Sequence, residues 1–275
     1  WAEYTANLEK AVSLNPKATW PLQNLALNYQ MLRKYDAANK AVARALELKP
    51  QGAGLWEIKV KLAISEKGDF SVYEDGVKKM KSVPMSSEER LKILGDYANL
   101  LLLQRKYQEL LQIGTSLPDD SFATVPGSLA LKYFAIGMAQ KSLGDDAAAR
   151  TAFIKAKGVI EEELKQKPDD ADLHVQLAKL LAWLGEKYGA IALAQRATDL
   201  RPESKDAFEG PRITENVAQV YAILGDNARA IELLDGLLNR PSEVTLQTLK
   251  LNPAWDPIRN DPAFQALFVK YAGKV

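Results

Sequence analysis

The chain has no cysteine, so it has no disulfide and no thiolate metal ligand. It has one histidine, His174, which leaves a transition-metal site without its usual second imidazole. It has no excess of charge: 36 basic residues face 35 acidic ones. That balance argues against a general nucleic-acid or membrane-surface binder. No apolar run approaches the roughly 20 residues that span a bilayer, so this segment is not expected to insert in a membrane. Glycine-rich phosphate loops and the twelve-residue calcium loop are missing as well.

What is present is a period. Pro16, Pro50, Pro84 and Pro118 stand 34 residues apart, and Pro168 and Pro202 repeat the interval. A fixed period of this length marks an array of one supersecondary unit. The unit is clearest between Pro168 and Pro202. Asp169, Asp170 and Asp172 open a helix, where carboxylates cap free N–H groups and meet the dipole. Leu173, Leu177, Leu180, Leu181 and Leu184 recur at helical spacing, and Gly185 stops the run. A second helix follows, with Ala190, Leu193, Ala194 and Ala197 inward. The alanines allow two helices to approach closely.

Other segments repeat the pattern. Leu22, Leu25, Ala26 and Tyr29 lead to Arg33-Lys34-Tyr35 and then Ala38, Val42 and Ala45. Ile136 and Gly137 lead to Gly144-Asp145, then Ala149, Phe153 and Ala156; Val217, Ala218 and Tyr221 lead to Gly225-Asp226, then Ala230, Leu234 and Leu237. This pattern resembles the tetratricopeptide repeat, a helix–turn–helix unit, over about 90% of the chain. The resemblance implies an all-α, right-handed solenoid and a non-catalytic protein- or peptide-binding scaffold. About six repeats begin near Thr19, Ala53, Leu91, Ala130, Ala171 and Pro211, after a half repeat at residues 1–17. Residues 1–250 read as the array and 251–275 as a C-terminal cap of the same solenoid.

The array is uneven. In the Ala53 repeat Gly68-Asp69-Phe70 comes one residue late, and its second helix, around Tyr73, Val77 and Met80, looks weakly packed. Pro118 through Gly127 and Glu203 through Pro211 read as loops, and one second helix runs on through Ile160 and Leu164 to Lys167. After Pro241, Asp256-Pro257 and Asp261-Pro262 are helix starts, with Trp255 and Phe264 as cap anchors. The ending resembles that of bacterial multidomain regulators, in which such arrays follow a Ser/Thr kinase, a nucleotide cyclase or a winged-helix domain. It implies a sensory or scaffolding arm of a signalling protein. Trp1 falls inside a repeat and is not methionine, so the chain reads as part of something longer. The compartment therefore stays open, cytoplasmic or extracytoplasmic.

No catalytic, metal or cofactor-binding residues are assigned. His174 reads as a packing residue, and the carboxylate pairs Asp119-Asp120, Asp145-Asp146 and Asp169-Asp170 as helix caps. Phe134, Met138 and Lys141, spaced four and three, share a first-helix face, as do Lys179 and Trp183 in the next unit. A half-apolar, half-basic patch there suits an extended peptide carrying an acidic group beside an apolar one. The alternative is that Trp183 only packs between helices. The resemblance also implies a clamp for a C-terminal carboxylate in some arrays, at places held here by Gln23, Leu27, Gly95, Asn99, Phe134 and Met138. Asn99 alone fits, so that clamp is rejected and Asn99 is kept as a groove residue. Self-association through the solenoid ends is the rival to partner binding.

Overall fold

The computed structural model describes residues 1–73, 87–122, 125 and 127–273. The positions of Val77, Met80, Pro84 and Pro126 lie outside them. The described residues are helical, with no strand among them. The helices are α1 (Ala2–Leu14), α2 (Thr19–Met31), α3 (Tyr35–Leu48), α4 (Ala53–Lys67), α5 (Ser87–Leu103), α6 (Tyr107–Ser116) and α7 (Ser128–Ser142). They continue as α8 (Asp146–Gln166), α9 (Ala171–Leu184), α10 (Lys187–Leu200), α11 (Gly210–Ile223), α12 (Asn227–Leu238), α13 (Leu246–Leu251) and α14 (Pro262–Lys270). Two 3-10 turns, Asp119–Phe122 and Pro253–Ile258, interrupt the series.

The proline period has a local cause. A residue before proline is disfavoured in the helical region. Asn15, Lys49, Lys167 and Arg201 each precede a proline, and each ends its helix with φ between −137° and −133°. The turn inside each hairpin has a second cause, a residue in the left-handed region. Gly144, Gly185 and Gly225 take it at φ 86°, 83° and 78°. The following N–H then bonds five residues back, as from Glu186 to Leu181 O at 2.8 Å, which satisfies a terminal carbonyl of the first helix. In two hairpins an arginine takes this place instead, Arg33 at φ 55° and Arg105 at φ 59°. A non-glycine residue there costs about 1–2 kcal/mol. Both arginines reach a later segment of the chain.

The chain forms two compact units, drawn from Trp1–Met85 with Leu238–Leu249 and from Ser86–Leu237 with Lys250–Ala272. In the first, α1 packs on α2, α2 on α3 and α3 on α4. Leu22, Ala26, Ala38, Val42, Ala45 and Leu62 are its core. The segment after α12 is tied to this unit. Ser242 N–H donates to Met31 O at 3.1 Å and Thr245 Oγ1 to Ser65 O at 2.9 Å. Arg33 donates to Arg240 O, Ser242 Oγ and Val244 O, each at 3.0 Å.

In the second unit the hairpins stack as in an α-solenoid: α7 packs on α8, α8 on α9, α9 on α10 and α9 and α10 on α11. Leu180, Phe153, Ala156, Ala178 and Ala194 lie in its core. Asp170 caps α9 by accepting from the N–H groups of Asp172 and Leu173. His174 is buried, with Nδ1 2.8 Å from Asp170 O, a packing position. The turn Pro253–Ile258 packs on α11, and Trp255 and Phe264 are both 0% exposed. Arg105 holds Asp256 through two bonds of 2.6 and 2.8 Å.

Candidate binding cleft

Phe153 of α8, 2% exposed, organises the wall between α7 and α9. The Trp183 ring stacks on it at 5.9 Å, and Phe134 tilts against it at 6.0 Å. Trp183 and Phe134 both keep part of their surface open, so Trp183 packs and is accessible at once. Lys179 Nζ stands 5.6 Å from the centre of the Phe134 ring and donates to Asn216 Oδ1 at 2.6 Å. Burial of that ammonium pushes its pKa down to about 8. Glu215 counters this, Arg212 adds to it and Asp172 again counters it.

Phe134, Lys179 and Trp183 thus come together. Met138 does not join them. It is 6% exposed and belongs to the core on which Phe134 and Trp183 pack. Lys141 is exposed at the end of α7 and pairs with Asp146 at 2.7 Å, outside the aromatic group. Asn99 is exposed on α5 and meets Phe134 at a different feature, which the sequence reading missed.

That feature is an apolar cleft of about 560 Å³ between α5, α6, the Asp119–Phe122 turn and α7. The α5–α6 hairpin is closed near its turn by Leu101 and Leu110, each 1% exposed. Toward the start of α5 and the end of α6 the side chains line an open space. Leu91, Leu94, Gly95, Ala98, Asn99 and Leu102 all border it, a spacing that places them on one face of α5. The first four of these residues, and Leu102, give the face almost no polar group. Leu131 and Phe134 of α7 form the opposite wall, and Leu131 is 54% exposed. Phe134 also borders a small cavity of about 60 Å³ with Lys179, so the cleft and the aromatic wall share this ring.

Two glycines set the depth. A Cβ on Gly114 would come within 2.7 Å of Ile136, so α6 lies close on α7. A Cβ on Gly95 would meet no atom within 4 Å, so α5 has room to spare. Lys132 forms the floor by the turn. Its side chain is 7% exposed, and its Nζ donates to Leu117 O at 2.5 Å and Asp119 Oδ1 at 2.7 Å. Asp119 also accepts from the Tyr133 hydroxyl. That bond, with burial and the Asp119 charge, pushes the Tyr133 phenol up to about 12. The hydrogen bonds from Lys132 and Tyr133 hold the Asp119 carboxyl below the usual range.

Among the described residues no three His, Cys, Asp or Glu side chains converge to hold a metal ion. No described helix is long and apolar enough to cross a membrane. No family model matches the chain. No curated protein matches it either. Solved structures with similar helices include PilF of Pseudomonas aeruginosa, at 15% identity over 92% of this chain and 97% of that one, TM-score 0.44. PilW, a type IV pilus biogenesis factor, matches at 14% identity over 91% and 98%, TM-score 0.44. YrrB, a TPR protein with an unusual peptide-binding site, matches at 16% over 88% and 96%, TM-score 0.28. These likenesses are too remote to add to the helix-hairpin description above.

Proposed function

We propose that the chain is a non-catalytic scaffold that binds a protein or peptide partner on the first-helix face of α5, α7 and α9. The observation that carries this reading is the joined surface itself: an apolar cleft of about 560 Å³ continued through Phe134 into the Lys179 and Trp183 wall. A concave, largely preformed apolar site with few polar groups is what a binding surface needs, and its rigid helices keep the ordering cost low. Asn99, Phe134, Lys179 and Trp183 are its contact residues; Met138 supports them from beneath, and Lys141 stands at the rim. Residues 1–250 form the array and 251–275 its cap. No cofactor is needed.

The test is selection of peptides from a random display library on the whole chain. Binders are expected to lose about 2 kcal/mol or more on Phe134→Ala or Trp183→Ala, the range for an aromatic anchor. Lys141→Ala should change affinity little, because that charge is already paired and exposed. Binders indifferent to both aromatic substitutions would overturn the proposed surface. The finer setting, an arm of a larger bacterial signalling protein, is supported by the resemblance of the C-terminal run alone, and the full open reading frame tests it.

Self-association is the second reading. It is favoured by Leu14 at 77% and Trp20 at 65% exposure, at the end of α1 and the start of α2. Light scattering of the wild type against Trp20→Ser tests it. A monomer in both cases removes that reading.

A further inference from the structure

We infer that Lys179 is a site of covalent modification, whose amine takes a short acyl group from an acyl thioester at the small cavity beside Phe134. The modification is independent of the partner-binding reading above; only its effect on a bound partner rests on that reading.

The first argument is what holds the amine. Several lysines of this unit are met by carboxylates: Lys157 by Glu186 at 3.1 Å, Lys270 by Asp235 at 2.7 Å and the buried Lys132 by Asp119 at 2.7 Å. Lys179 instead donates to a neutral amide oxygen, Asn216 Oδ1 at 2.6 Å. Asn216 is itself oriented, since its Nδ2 donates to Arg212 O at 2.7 Å. The charges that act on Lys179 are Glu215 and Arg212 of α11 and Asp172 of its own helix, none of them in an ion pair with it. Asp172 is engaged by Arg201 and Arg212, at 2.7 and 2.8 Å. From α7 and α8 the cavity residues beside it are Leu131, Phe134 and Ile160, all apolar. An amide oxygen accepts from an amine as well as from an ammonium, so the bond to Asn216 survives loss of the proton. Burial lowers the pKa to about 8, and a lysine that sheds its proton near neutrality is a nucleophile.

The second argument is space and access. Lys179 borders a cavity of about 60 Å³ between α7 and α9. That is the volume of about two waters, room for a two- or three-carbon acyl group. Its rim is reachable from solvent. Leu131 is 54% exposed, and Phe134, Gln176 and Lys179 each keep part of their surface open.

The third argument is the chemistry of the rim. Gln176 stands one turn before Lys179 on the same face of α9 and borders the same cavity. Its side-chain amide makes no hydrogen bond among the described residues, so its N–H is available to an incoming carbonyl. The neutral Nζ attacks the thioester carbonyl carbon, and a C–N bond forms while Gln176 Nε2–H donates to the oxygen that gains charge. The C–S bond then breaks, sulfur leaves as thiolate, and the extra proton on nitrogen passes through water to it. The products are an amide on Lys179 and a free thiol. The amide carries no charge, so the wall of Phe134 and Trp183 loses its cation.

The test incubates the whole chain with S-acetyl-N-acetylcysteamine, a small acetyl thioester, and maps acetyl-lysine by mass spectrometry against time. Lys187, exposed on α10, is the internal reference. At pH 8 about half of Lys179 is neutral, against below about 1% of an ordinary lysine. Its lower basicity gives back part of that advantage, so Lys179 should react at least about fivefold faster than Lys187. Its rate should level off above about pH 9, while that of Lys187 keeps rising. In concentrated urea the preference should vanish. Gln176→Leu, which removes the donor, and Leu131→Trp, which narrows the rim, should each slow Lys179 at least about threefold and leave Lys187 unchanged. Equal rates at Lys179 and Lys187 in the folded chain, a preference that persists in urea, or wild-type rates in both variants would overturn the inference. A decanoyl thioester that modifies Lys179 as readily as the acetyl one would overturn the short-acyl assignment. If Lys179 is acetylated selectively and library-selected peptides bind both forms of the chain equally, the modification stands and its effect on the wall falls.

Discussion

Two glycines on first helices should respond to the same substitution with opposite sign. Gly137 lies in α7 against Phe153, and a Cβ there would stand 2.5 Å from Cε1 and 2.6 Å from Cδ1 of that ring. The ring is in the core, stacked by Trp183 on one side and met by Phe134 on another, so it has little freedom to retreat. Alanine gains about 0.5–1 kcal/mol of helix preference over glycine. Overpacking a held ring costs about 1–3 kcal/mol. Gly137→Ala should therefore be destabilising by about 1–2 kcal/mol. At Gly95 a Cβ meets nothing within 4 Å, so only the gain remains and Gly95→Ala should stabilise by about 0.5–1 kcal/mol. Urea titration of the whole chain, followed by far-ultraviolet circular dichroism, reads both. At a slope of about 2 kcal/mol per molar, the two midpoints should differ by roughly 1 M, on opposite sides of the wild type. A Gly137→Ala midpoint at or above the wild type would refute the packing described around Phe153. A Gly95→Ala midpoint below the wild type would refute the open space on α5.

Phe264→Ala should cost about 3–5 kcal/mol, because the ring is 0% exposed, and an unchanged thermal midpoint would contradict its burial. Lys179 has a pKa lowered to about 8 in the folded state, against 10.5 ordinarily. The unfolded chain therefore binds more protons between those values, and stability should rise with pH across that window. Its charged form weighs against folding fully below about pH 8, by roughly 2–4 kcal/mol. Urea midpoints at pH 7 and pH 10 should show the rise in the wild type and lose it in Lys179→Met; equal slopes would contradict the burial of the ammonium. Arg105→Gly should be close to neutral, since loss of an exposed ion pair, worth up to about 1 kcal/mol, is offset by relief of the left-handed backbone. Arg105→Ala keeps that backbone conformation and loses the pair, so its thermal midpoint should fall below that of Arg105→Gly; the reverse order would contradict the assignment.

The hairpins were legible because their signals are local. Asp170 as a cap, Gly185 as a left-handed stop and Lys167 before Pro168 each act within a few residues, and the structure uses each of them so. The arginine turns were half legible. Arg33-Lys34-Tyr35 stands in the place of Gly144-Asp145, yet arginine gives no sign of a left-handed backbone, and Arg105 was not singled out at all. Their partners, Val244 and Asp256, lie more than a hundred residues on, beyond any periodicity. Of the expected groove residues, Phe134, Lys179 and Trp183 lie together, while Met138 is buried and Lys141 pairs with Asp146. Helical spacing fixes an angle to about one residue, and core packing decides the rest. The cleft depends on how far the α5–α6 hairpin opens, which no sequence period encodes. Its one visible sign was Gly95, set among Leu91, Leu94, Ala98 and Leu102 on an otherwise apolar face.

Hydrogen–deuterium exchange of the whole chain, with and without a saturating library-selected peptide, tests the binding surface most directly. New protection is predicted in α5 between residues 91 and 102 and in α7 between residues 128 and 135, both of which line the cleft. Protection confined to other helices, or none at all under conditions where the selected peptide is fully bound, would contradict it.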